Sequence, residues 1–182
     1  RDKNVRIIST LFHGINRNGN VGTLLYVHGN DNAQFCGNES CYTIADLTEN
    51  FIKGNLSFDD SLEIVKKKKI TYAPDTTMQA MFSDRNGRVL IIEPGLGNRL
   101  EKEKILNNKL LHLKPELTNP YVLSGDNRYE KAKDLLQGYG ENFSISNAFD
   151  VLRSVRQEGL WATRVSFIYS VAKNKGILCV EQ

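Results

Sequence analysis

The stretch Met78–Glu93 constrains the fold more than any other part of the sequence. Met78–Ser83 and Arg88–Glu93 are two runs rich in strand-forming residues, and Asp84-Arg-Asn-Gly87 stands between them. Asn and Gly accept the positive φ of a tight reversal, so the stretch spells an antiparallel hairpin. Two further hairpins follow the same logic. Val5–Phe12 and Val21–Val27 flank Asn16-Arg-Asn-Gly19, and Trp161–Val171 and Ile177–Val180 flank Ala172-Lys-Asn-Lys-Gly176.

Helices fill the intervals. Tyr42–Lys53 carries Ile44, Leu47, Phe51 and Ile52 at roughly helical spacing, with Gly54 as a C-cap. Ser57 is a good N-cap ahead of Asp59 and Asp60, and Leu62, Ile64 and Val65 follow. The run Lys66–Lys69 then sits at the negative pole of that second helix. Asn127–Gln137 places Ala132, Leu135 and Leu136 on one face, with Gly138 just beyond its end. Ser144 or Ser146 caps a further helix bearing Ala148, Phe149, Val151, Leu152 and Val155. Ile105–Leu113 and Glu116–Val122 read as extended. Antiparallel hairpins separated by helix pairs argue for an α+β layered domain rather than alternating βαβ units. At 182 residues, without an internal repeat or a Pro/Gly/Ser-rich linker, the chain reads as a single domain, 1–182.

Several function classes are disfavoured at this level. Lys and Arg number 24 against 21 Asp and Glu, a net +3, too balanced for a nucleic-acid binder working through a basic surface. Lys66–Lys69 has only Tyr72 nearby as a stacking aromatic, and a solvated helix end accounts for it. No apolar run approaches the roughly 20 residues that span a bilayer. No apolar core of a signal peptide follows Arg1, although any such leader would precede this segment, so the compartment is open. Pro94-Gly95-Leu96-Gly97 follows a strand but opens no helix, so it is a weak phosphate loop. Cys36, Cys41 and Cys179 are too few for a disulfide scaffold. Cys36 and Cys41 read first as ordinary thiols, with a bridge or two zinc ligands as alternatives. His13, His28 and His112 are scattered and supply no second ligand pair.

Four local patterns occur in a fixed order: His13-Gly-Ile-Asn-Arg-Asn-Gly19 with the strand Val21–Val27; Met81–Glu93; Leu117-Thr-Asn-Pro-Tyr121 with Gly125-Asp-Asn-Arg-Tyr-Glu130; and Trp161–Val171. In this order the chain, from about Val5 to Val180, resembles the choloylglycine hydrolase and penicillin V acylase family of N-terminal-nucleophile amide hydrolases. It is similar also to the acyl-coenzyme A:6-aminopenicillanate acyltransferase and acid ceramidase-like relatives. The resemblance implies a four-layer αββα sandwich, here lacking its first strands, and hydrolysis of linear amides in small N-acyl compounds. No metal or cofactor takes part in that chemistry.

In such enzymes an N-terminal Cys attacks the amide carbonyl, and its own α-amine, with a pKa near 8, takes the thiol proton. The tetrahedral oxyanion needs donors fixed in advance. The resemblance maps one donor to Asn119 and another to the backbone N–H of Tyr26, and it maps an electrostatic support for the nucleophile to Arg128. Each has a plainer reading: Asn119 starts a turn before Pro120, Tyr26 is a half-buried strand aromatic, and Arg128 is a surface charge at a helix start.

The chain departs from the family in three places. It reads Asn16-Arg-Asn-Gly-Asn20 where members commonly read Asn-Glu-Lys-Gly-Leu. Asn119 and Arg128 are spaced as in the acyltransferase and ceramidase-like branches, which argues against bile salts as substrates. Position 1 is Arg, not Cys, and neither Cys36 nor Cys41 has a free α-amine. The nucleophilic Cys is therefore expected on a segment upstream of Arg1 or on a second chain. Homo-oligomers are common in this family. The competing expectation is a non-catalytic ligand- or protein-binding domain on the same scaffold, whose open sheet edge would recruit a strand. A nucleic-acid module is the remotest reading.

Overall fold

The computed structural model describes residues 13–27, 29–100, 127–139, 143–170 and 173–180. These residues fall into two compact units. The expected strands Val5–Phe12, Ile105–Leu113 and Glu116–Val122 lie outside them, apart from the continuation of the first.

The first unit is built on a five-stranded antiparallel sheet in the order β1-β2-β5-β6-β7. Its strands are β1 (His13–Ile15), β2 (Val21–Tyr26), β5 (Met78–Ser83), β6 (Val89–Glu93) and β7 (Gly97–Leu100). Between β2 and β5 run β3 (Cys41–Thr43), α1 (Ile44–Lys53), α2 (Phe58–Lys67) and β4 (Lys69–Thr71). Side chains alternate across a strand, so Leu24, Met78, Ala80, Phe82, Leu90 and Ile92 share one face. They form one buried core with Ile44, Leu47, Phe51, Phe58 and Val65 of the two helices. At its centre Phe51 stacks on Phe82 with ring centroids 4.4 Å apart. The opposite face is buried as well, at Val27, Gln79, Val89, Ile91 and Glu93.

Turn and cap chemistry sets the boundaries. Asn16 carries the first turn: its side-chain oxygen accepts from the N–H groups of Asn18 and Asn20 at 2.9 and 3.2 Å. Its amide donates to the Phe51 carbonyl at 3.2 Å, tying the hairpin to the end of α1. Thr43 caps α1, Gly54 closes it in the left-handed conformation at φ 79°, and Ser57 with Asp60 forms a capping box on α2. Asp84 organises the β5–β6 turn, its Oδ1 accepting from the N–H groups of Asn86 and Arg88, both at 3.0 Å. Arg88 donates back to Asp84 at 2.7 Å, reaches Asp59 of α2 at 2.6 Å, and lies over the Phe58 ring.

Close approach explains two glycines. Gly14 and Gly22 are direct partners across β1 and β2, and both lie under Ile52 of α1. A Cβ at Gly22 would sit 2.6 Å from an Ile52 carbon.

Several expected boundaries shift. Tyr42 and Thr43 are strand rather than the first turn of the helix, because β3 pairs in parallel with β4. For the same reason Lys69 leaves the lysine run and opens β4, while Lys66 and Lys67 close α2. Pro94–Gly97 is a tight reversal from β6 into β7, with the Leu96 N–H on the Glu93 carbonyl at 3.0 Å, not a phosphate loop. Cys36 and Cys41 are bridged, with Cα atoms 6.2 Å apart, which corrects the reading of both as ordinary thiols. Cys179 is a free, exposed thiol.

The second unit comprises α3 (Arg128–Tyr139), α4 (Ile145–Ser154) and the antiparallel hairpin of β8 (Val165–Ser170) and β9 (Lys175–Val180). α3 packs on α4, and α4 on β8. Ser144, not Ser146, is the cap, sharing a capping box with Asn147. Gly138 lies inside α3, which runs one residue further to Tyr139. The expected strand start at Trp161 is instead a 3-10 turn, Gly159–Trp161, and β8 begins at Val165. Ala132, Val151 and Ser166 are buried. The cross-strand pairs Val165–Val180 and Phe167–Leu178 leave an apolar face exposed.

Candidate active site

Tyr26 is the last residue of β2, opposite Met78. By alternation it follows Gly22 and Leu24 on the helix-facing side, but it lies past the edge of the core and is 45% exposed. The Val27 N–H donates to the Thr77 carbonyl at 3.2 Å. Successive residues of a strand turn their N–H groups to opposite sides, so the Tyr26 N–H points away from β5, towards the β1 side. The Thr77 hydroxyl adds a second bond, to the Val27 carbonyl at 2.6 Å. Both backbone polar groups of Val27, the residue after Tyr26, are thus held by Thr77.

Beyond Val27 the chain is fastened by Asn30. Its amide donates to the Tyr72 hydroxyl and to the Pro94 carbonyl, each at 2.9 Å, while its oxygen accepts from Asn32 N–H at 3.1 Å. That last bond caps the 3-10 turn Asp31–Ala33. Ala33 packs fully buried beneath Gly95, and its carbonyl accepts from the Tyr72 N–H at 2.8 Å. Gly95, at φ 77°, has no room for a side chain: a Cβ there would lie 2.9 Å from Ala33 N.

Burial raises the Tyr72 hydroxyl above its ordinary value, the Asn30 hydrogen bonds oppose that, and the charge of Glu93 reinforces it. Tyr72 is therefore a neutral phenol at physiological pH. Gln79 and Glu93, both fully buried, lie one position beyond the Ala80–Ile92 pair at this same end of the sheet. Sequence reasoning missed Thr77 and Asn30. Asn30 carried a legible signal, being an Asn directly ahead of Asp31-Asn-Ala33, a good cap for a short helical turn.

Arg128 opens α3 in the second unit and is half-buried. A cation at a helix N-terminus is mildly disfavoured by the macrodipole. Tyr26 and Arg128 belong to different units, and Asn119 lies outside the described residues. His13 is exposed at the start of β1, and His28 and His112 fall outside the described residues. Among the described residues no three His, Cys, Asp or Glu side chains cluster in a way that could hold a metal ion.

Solved structures share this architecture. Penicillin V acylase from Agrobacterium tumefaciens superimposes with a TM-score of 0.71 at 13% identity, over 94% of this chain and 63% of that one. A variant of conjugated bile acid hydrolase from Clostridium perfringens gives 0.63 at 14% identity, over 94% of this chain and 73% of that one. The chain has the penicillin V acylase and bile acid hydrolase fold. A second mutant form of the bile acid hydrolase repeats the match with a TM-score of 0.64. No family model matches the sequence, and no curated protein does. With identities this low the likeness is one of fold, an α+β sandwich of the N-terminal-nucleophile hydrolase kind. Among the described residues no helix is long and apolar enough to cross a membrane.

Proposed function

We propose that the chain is the larger part of an N-terminal-nucleophile amidase that hydrolyses the linear amide of a small N-acyl compound. The observation that carries the reading is the backbone at the end of β2, where Thr77 holds both polar groups of Val27 beside Tyr26, in a fold shared with a penicillin V acylase and a conjugated bile acid hydrolase.

The nucleophile is a Cys at the N-terminus of a preceding segment or a second chain. Its α-amine takes the thiol proton as sulfur attacks the carbonyl carbon. The oxyanion is met by the Tyr26 N–H and the Asn119 side-chain amide; a donor fixed in advance costs no reorganisation at the moment of reaction. Collapse expels the amine, which recovers the proton from the α-ammonium, and leaves a thioester. Water, deprotonated by the same α-amine, then releases the acid. Arg128 supports the ionised nucleophile electrostatically. All bond making here needs only side chains, backbone and water.

N-terminal sequencing and intact mass of the protein from its native host test this reading. A polypeptide beginning with Cys, active on a panel of N-acyl amides and inactivated by Cys→Ala, supports it. A native chain that begins at Arg1 and cleaves no amide overturns it.

The second reading, a non-catalytic binding domain on the same scaffold, draws on the exposed face of Val165, Phe167, Leu178 and Val180. It predicts a native chain starting at Arg1 that still binds N-acyl compounds or an extended peptide.

A further inference from the structure

We propose that Cys36 and Cys41 form a reversible dithiol–disulfide clasp on residues 34–40, the loop that borders the sheet end carrying Tyr26, and that a dithiol reductant opens it. The loop's two ends are fixed independently of the bridge. At one end Asn30, Ala33 and Tyr72 pin the chain beneath Gly95, as described above. At the other, Cys41 pairs with Lys69 across β3 and β4, and the Lys69 N–H donates to the Ser40 carbonyl at 3.0 Å.

Between those anchors the stretch is exposed, with Cys36 alone half-buried. Apart from that bond to Ser40, its hydrogen bonds are local. Asn38 Oδ1 accepts from the N–H and hydroxyl of Ser40, and the Asn38 carbonyl accepts from Cys41 N–H. Phe35 projects 48% exposed, with its ring near Gly37. Among the described residues, residues 34–39 belong to no helix or strand, and the bond from Lys69 to Ser40 holds only the far end, so the covalent tie is a principal restraint on the stretch.

Both sulfurs belong to half-buried residues, which leaves them within reach of an attacking thiolate. One thiolate of the dithiol attacks a bridge sulfur to give a mixed disulfide. Its second thiol then displaces the protein sulfur, so that two electrons and two protons pass to Cys36 and Cys41 and the reductant closes its own ring. Anchors that survive reduction confine the change to the loop, which makes this a local gate rather than an unfolding. The proposal does not rest on the amidase reading and needs no nucleophile.

Proteolysis reads the clasp directly. Chymotrypsin can cut after Phe35 and a Glu-specific protease after Glu39. The full chain is compared with and without dithiothreitol, alongside a Cys36→Ser, Cys41→Ser double variant, with hydrogen exchange of β5 and β6 as the folding control. Expected are a Cys36–Cys41 peptide pair two hydrogens lighter than the dithiol, slow cleavage of the oxidised chain, and several-fold faster cleavage at both sites after reduction, with β5–β6 protection unchanged. The double variant should cut at the fast rate in either condition. Equal rates for oxidised and reduced wild-type chain would overturn the proposal even if the variant failed to fold. So would native protein with both thiols alkylatable before any reductant, or reduction that exposes β5 and β6 along with the loop.

Discussion

Thr77 holds Val27 by two bonds of opposite sense: its hydroxyl donates to the Val27 carbonyl at 2.6 Å, and its own carbonyl accepts from the Val27 N–H at 3.2 Å. This pair ends the β2–β5 ladder and sets the plane of the peptide next to Tyr26. Thr77→Val keeps the branched shape and removes one bond. Chemical denaturation should show a loss of about 1 kcal/mol, the usual net worth of such a bond. In a catalytically competent form, turnover should fall more than KM rises, since a mis-set oxyanion donor acts on the transition state.

Asp84 gives a pH signature. Burial pushes its carboxyl up, but the hydrogen bonds and charge of Arg88 and the Asn86 N–H outweigh that and leave it below the ordinary value. A carboxyl whose folded pKa is depressed stabilises the fold above the unfolded pKa, about 3.9, and loses that contribution as pH falls towards the folded value. Urea midpoints measured from pH 6 down to pH 2 should drop below about pH 4. Asp84→Asn should be destabilised by about 2 kcal/mol at pH 6 and show a flatter acid limb.

Gly22→Ala should be destabilising although alanine is the better strand residue, because its Cβ would meet Ile52 at 2.6 Å. Overpacking of this kind costs about 1–3 kcal/mol. Ile52→Ala, which removes the Cγ1 met by the new Cβ, should shrink the cost of Gly22→Ala, and a double-mutant cycle that came out additive would contradict the contact.

Ser57→Ala removes one half of the capping box on α2. The expected loss is about 1 kcal/mol by thermal or urea unfolding. Asp60→Ala should cost less than the sum of the two single changes when combined with it, because both act through the same pair of bonds.

The elements legible in the sequence were those defined by neighbours in the chain. Asn16–Gly19 and Asp84–Gly87 announce their turns, and Ser57 and Gly54 announce their helix ends, because a cap or turn is chemistry within four residues; the last helix left Ser144 and Ser146 as equal candidates. What stayed hidden depends on partners far along the chain. Tyr42 and Thr43 look helical until β4, beginning at Lys69, lies beside them. A three-residue parallel strand leaves no periodicity to read. Gly138 looks like a stop signal, yet α3 continues to Tyr139, so a glycine's tolerance of the left-handed region does not oblige it to end a helix. Cys36 and Cys41 are five positions apart, close enough to bridge and equally compatible with two thiols, and only the path of the loop decides. Tyr26 is named as a site residue by family resemblance alone, Asn30 carried only the local signal of a cap before Asp31, and Thr77, whose hydroxyl reaches Val27 fifty positions away, left no local pattern. Asn119 remains a sequence-based expectation.

The glycine pair beneath Ile52 bears on how this chain finds its structure. Gly14 and Gly22 face each other only when β1 and β2 are correctly aligned, and Ile52 fits only over that shared gap. A slip of one residue would replace the gap with the side chains of neighbouring residues and push α1 off the sheet. Docking of the helix therefore checks the alignment of the hairpin. The alignment that the three paired residues of β1 leave loosely fixed by their hydrogen bonds is thus also set by a single side chain arriving from elsewhere.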